Sequence, residues 1–110
     1  MVRSTIRRFG EGLMFARVST FNGLPENIDR VAELVRAEVL PAARKMRGFE
    51  AVISYADRQT GKVVAITFWE SEEALRESEK PANDLRAQAA EASGGEIAGV
   101  ERVEVVVFEV

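Results

Sequence analysis

The 110-residue chain has no cysteine and no histidine, and only one tryptophan, one tyrosine and three prolines. Without cysteine there is no disulfide framework, no thiolate nucleophile and no iron–sulfur or zinc–thiolate site. Without histidine there is no Ser-His-Asp triad, no imidazole base near neutral pH and no histidine ligand for haem or zinc. Long apolar runs are missing too. Nothing approaches the roughly 20 residues of a membrane span, and the N-terminus lacks the apolar stretch of a signal peptide. The expected setting is cytoplasmic, with no membrane partner. A net charge of −3 gives no footprint for nucleic acid. The exception is the start, where Arg3, Arg7 and Arg8 face only Glu11; residues 1–12 read as a flexible basic arm.

With 46% apolar and 30% charged residues, the remainder, residues 13–110, reads as one ordinary globular domain. "LMFARVSTF" (Leu13 to Phe21) has the β-branched and aromatic content of a strand and ends at the turn signal Asn22-Gly23. Pro25 suits the first turn of a helix. Ile28, Val31, Val35, Val39, Ala42 and Met46 then recur in steps of three and four, marking one helical face. Gly48, after Arg44, Lys45 and Arg47, is a helix stop. Pro41 inside this helix removes one backbone hydrogen bond and predicts a kink.

"FEAVISYAD" and "KVVAITFWE" are two strands joined by "RQTG", a hairpin connection. Ser71 can cap the next helix, with Glu72 and Glu73 favourably placed in its first turn. That helix carries Leu75, Ser78, Ala82, Leu85, Ala89 and Ala92 on one face and is interrupted by Pro81. "SGG" ends it, and "VERVEVVVFEV" forms a last strand. The order β-α-β-β-α-β is the ferredoxin-like α+β pattern, a four-stranded antiparallel sheet with both helices on one face.

Two helices cover only one face of such a sheet, and a strand with one solvated face should alternate. The third strand does not: Val63, Ala65 and Trp69 point one way, and Val64, Ile66 and Phe68 the other. The second strand is similarly two-sided. A second copy packing sheet to sheet, as a homodimer, is the simplest cover; the alternative is the N-terminal arm folding across the open face.

A strand, a helix ending before "GF", a hairpin, a strand closing on "WESEEAL" (Trp69 to Leu75), a helix and a final strand together resemble the antibiotic biosynthesis monooxygenase-like domains of the dimeric α/β-barrel superfamily. The resemblance implies binding of an aromatic metabolite and, in its catalytic form, oxygenation of a phenol, quinol or anthrone without metal, flavin or other cofactor. Trp69 matches the family's tryptophan and would supply an indole N–H and a flat wall. Tyr55, of the same parity on the neighbouring strand, would be a second donor, and Asp84 the base. Asn83 would stand at the pocket mouth. The alternative for Asn83 and Asp84 is that they only start the second helical piece after Pro81. The asparagine that haem-degrading relatives and some oxygenases carry on the first strand is absent, and Arg17 or Ser19 would replace its donor. Arg17 is the oddest residue of that strand, either an edge charge or a buried anion binder. For Trp69 and Tyr55 the plainer reading is a buried core aromatic and an ordinary sheet residue, which goes with a non-catalytic binding or interaction module.

Overall fold

The structure, a computed structural model, describes residues 14–109. The expected arm, residues 1–12, lies outside the described residues. Four strands, β1 (Met14–Asn22), β2 (Phe49–Ala56), β3 (Lys62–Trp69) and β4 (Glu96–Val105), form one antiparallel sheet in the order β2-β3-β1-β4. The intervening helical segments pack on one face. This is the ferredoxin-like architecture expected from the element order.

The first helical stretch runs as α1 (Ile28–Leu34), a π-helical segment Val35–Val39 and α2 (Leu40–Arg44). The kink expected at Pro41 takes the form of a widened turn just before it. The Leu40 N–H donates to the Val35 carbonyl, five residues back. A wider turn gives the proline ring room that a regular turn would deny it. Gly48 then adopts φ of 83°, and a Cβ there would lie 2.4 Å from Cβ of Ala74, so glycine is required both for the turn and for the approach of the next helix.

The hairpin between β2 and β3 closes on Asp57, whose Oδ1 accepts from the N–H groups of Gln59 (2.8 Å) and Thr60 (3.3 Å). Gly61, at φ of 87°, is held against the backbone of Gly23, whose N–H donates to its carbonyl. As predicted, Ser71 caps α3 (Glu72–Glu77) by accepting from the Ala74 N–H at 3.0 Å. The break to α4 (Glu79–Ser93) falls at Ser78, three residues before Pro81. Pro81 sits in the first turn of α4, where its missing N–H costs nothing.

Two sequence expectations need correction. The last strand starts at Glu96 and ends at Val105, not at the C-terminus; beyond it the chain leaves the sheet and Phe108 packs edge-on against Phe68. Second, Tyr55 and Trp69 do not share a face. Phe49 pairs with Trp69, but the register shifts between Phe49 and Ala51, so Tyr55 comes opposite Val64. One extra residue reverses the parity of everything after it. Val52, Ser54 and Ala56 thus point toward the helices, and Ile53 and Tyr55 away from them.

Candidate functional site

On the helix-covered face β1 presents Phe15, Arg17, Ser19 and Phe21, and β3 presents Val63, Ala65, Thr67 and Trp69. Between these strands and the helices lies a cavity. The sheet contributes Arg17, Ser19, Phe21, Val52, Thr67 and Trp69; the helices contribute Val31, Val35, Val39, Leu85 and Arg86, among others. Val35 and Val39 come from the π-helical segment, so the turn widened ahead of Pro41 shapes this wall. The enclosed part is small, and with its mouth the space amounts to about 640 Å³.

Trp69 is 1% exposed. It packs with Ala74 and Leu75, meets Phe49 edge-on at 5.6 Å between ring centres, and forms one end of the cavity. It is therefore a core aromatic and a wall at once. Its indole N–H donates to Oγ1 of Thr67 at 2.9 Å, which satisfies the donor expected to point at a ligand.

Arg17 is 3% exposed and is not an edge charge. Its Nη2 donates to the Leu75 carbonyl (2.9 Å), to Oγ of Ser78 (2.9 Å) and to Oε2 of Glu79 (2.8 Å), while its Cζ lies 5.9 Å from the centre of the Trp69 ring. The break between α3 and α4 exists at the point where these acceptors converge: a C-terminal carbonyl of α3, the hydroxyl in the break and the first side chain of α4. A cation at the carbonyl end of α3 is favourable for the helix dipole. Ser78 also donates to Leu75 O at 2.7 Å.

Glu79 carries the junction outward. Both its oxygens accept from Arg102 on β4, at 2.7 and 2.8 Å. Hydrogen bonds first from Arg102 and then from Arg17, working against partial burial, hold its carboxyl down at about 2. Arg86, half-buried at the cavity, donates to Oδ1 of Asn83. Burial, then repulsion from Arg17, lowers its pKa. Nε of Arg17 is buried with no acceptor among the described residues, a state that costs about 1–3 kcal/mol in a protein interior.

Of the residues singled out in the sequence, Trp69, Arg17 and Ser19 come together at the cavity. Tyr55 does not: it is 57% exposed on the opposite side of the sheet. Asn83 and Asp84 are exposed on α4 and do not line the cavity; the third turn position, Arg86, does. Thr67, Glu79, Arg86 and Arg102 were not anticipated. For Arg86 a signal existed, since it falls between Ala82 and Ala89 at helical spacing on the apolar face. Among the described residues no group of acidic side chains is arranged to hold a metal ion, and no helix is long and apolar enough to cross a membrane.

Residues 14–90 match the model of the antibiotic biosynthesis monooxygenase family, and the chain belongs to that family. Among curated proteins it is similar to the uncharacterized Mycobacterium tuberculosis proteins Rv2557, 36% identical over 90 residues and 81% of this chain, and Rv2558, 35% identical over 84 residues and 76% of this chain. It spans 40% and 36% of their respective lengths. Its fold is that of the ActVA-Orf6 monooxygenase of Streptomyces coelicolor, solved with nanaomycin D (TM-score 0.65, 24% identity, 89% of this chain and 90% of that one). SnoaB, a cofactor-independent oxygenase of Streptomyces nogalater, is a further neighbour (TM-score 0.55, 19% identity, 89% and 94% covered).

Proposed function

We propose that the protein binds an aromatic metabolite in the cavity between sheet and helices and oxygenates it without metal or flavin, as a homodimer in the cytoplasm. The observation that carries this reading is a largely apolar cavity closed by the indole of Trp69 with the Arg17 cation beside it. Family membership and the SnoaB and ActVA-Orf6 folds agree with it. The substrate would be a phenol or anthrone. In an anthrone the CH₂ becomes C=O, dioxygen supplies the new oxygen, and the two hydrogens leave with the other oxygen as water, so no external reductant is needed. Since no carboxylate among the described residues lines the cavity, the substrate's own acidity would supply the carbanion, with the proton passing to solvent. The enclosed part is small, so a multi-ring ligand would extend into the mouth. For the dimer, the support is the exposed apolar side chains Ile53, Tyr55 and Val103 on the face away from the helices. A clean monomer in sedimentation equilibrium at low micromolar concentration would reject it.

The test of function is titration with an anthrone and quinol panel while following emission of Trp69, the only indole, then oxygen uptake with whichever class binds. Saturable quenching with stoichiometric oxygen consumption supports oxygenation. Quenching without oxygen uptake supports the second reading, a non-catalytic binding module, which is favoured by the commitment of the Trp69 N–H to Thr67. Absence of quenching across the panel rejects the aromatic ligand.

A further inference from the structure

We propose that the cavity takes its aromatic ligand as an anion, with one ionised oxygen, phenolate or carboxylate, lying against the Arg17 guanidinium. This rests on the aromatic-cavity reading above and adds the ligand's charge and its anchoring side chain.

The charge balance is the first ground. Among the described residues two guanidinium groups, Arg17 and Arg86, line the cavity, and no carboxylate does. Glu79, which pairs with Arg17, is shared with Arg102, so among the described residues one carboxylate there serves two cations before Arg86 is added. Arg86 has the neutral amide oxygen of Asn83 as its acceptor. An apolar space with unbalanced positive charge at one end favours a ligand that is flat and apolar with a negative oxygen at that end.

The second ground is geometric. Nη2 of Arg17 is fixed by three acceptors from the junction of α3 and α4, and the guanidinium is planar and rigid. Fixing one nitrogen therefore fixes the plane and position of the whole cation at its end of the cavity. The cation is held in place before a ligand arrives, so little is lost in ordering it. Ser19, buried two residues along on the same face, adds a hydroxyl beside it. An ionised oxygen makes the stronger partner for such a cation.

The experiment compares two ligands of the same shape, 2-naphthoate and 2-naphthamide, by calorimetric titration of the intact protein near neutral pH. Naphthoate is expected to bind about tenfold more tightly, and in Arg17→Met the preference should fall to about twofold or less. A second readout is 2-hydroxyanthraquinone, whose ionised form absorbs at longer wavelength. Wild-type protein should lower its apparent ionisation by about one pH unit on binding, and Arg17→Met should not. If Arg17→Met does not fold, Arg86→Met, at a partly exposed position, replaces it, with the naphthoate preference expected to drop about threefold. Equal binding of the two naphthalenes by wild type, or a preference unchanged in the variant that folds, overturns the inference and leaves the aromatic cavity standing. Binding of neither overturns the cavity reading and the inference with it.

Discussion

Near the Asn22 end of β1, Phe21 is enclosed by Ile28, Val31, Val63, Ala89 and Ala92, an apolar cluster with no charge in it. Four residues earlier on the same face of the same strand, Arg17 is equally buried but is held by a carbonyl, a hydroxyl and a carboxylate. The difference shows how a small domain separates stability from a binding site. The Phe21 end gains from removing apolar surface from water, roughly 2–3 kcal/mol for such a side chain. The Arg17 end gains little, because taking a guanidinium and a carboxylate out of water offsets most of their attraction. It retains a fixed positive charge instead.

The widest separation between the two ends should appear in stability. Phe21→Ala leaves a cavity in a packed cluster and is expected to cost about 3–5 kcal/mol in urea denaturation. Arg17→Met should cost less, about 1–2 kcal/mol, since Glu79 keeps both its bonds to Arg102 and Ser78 keeps its bond to Leu75. The order of the two losses is the point. If Arg17→Met destabilises as much as Phe21→Ala, the arginine is a structural brace and the division between the ends is wrong.

The same two ends differ in how well they could be read from sequence. Phe21, Ile28, Val31, Val35 and Ala89 follow helix and strand periods, which are local, and so the core was legible. So were the Ser71 cap and the Asp57–Gly61 hairpin, each decided by a few adjacent residues. Arg17 announced itself as a charge on an apolar face, and Ser78 as a hydroxyl on another. That these two meet depends on β1 packing under the α3–α4 break, which no local pattern states. The register shift near Glu50 was also silent, since no glycine or proline marks it, and that alone moved Tyr55 to the far side of the sheet. Pro41 signalled a distortion but not its form, because a kink and a widened turn relieve the same clash.

A smaller effect should be found in acid. The folded-state pKa of Glu79 is held down at about 2, against an ordinary 4.5. A depressed carboxylate contributes its stability above the unfolded pKa and loses it as pH falls through the folded one. Wild type should therefore exceed Glu79→Gln in stability at neutral pH, with the gap closing between about 4.5 and 2. With the Glu79 side chain 29% exposed, screening reduces the gap to about 1 kcal/mol at neutral pH. Urea midpoints of both proteins across this range would measure it. A gap that widens on acidification would mean that Glu79 is strained by its partners rather than stabilised by them.

The smallest expected change belongs to Tyr55→Phe. The residue carries the only phenol in the chain and stands one strand from Trp69, so a role as a second donor is the natural guess from spacing. The bulge puts its side chain beside Ile53 on the face away from the cavity, more than half exposed. Loss of an exposed hydroxyl should shift stability by less than about 0.5 kcal/mol and leave naphthoate affinity and Trp69 emission unchanged. A several-fold fall in ligand affinity would require Tyr55 to reach the cavity, which β2 permits only if the register after Phe49 slips back by one residue. That slip would turn Val52 away from the helices and draw Ile53 under them, so the same measurement tests the strand register on which the whole cavity wall depends.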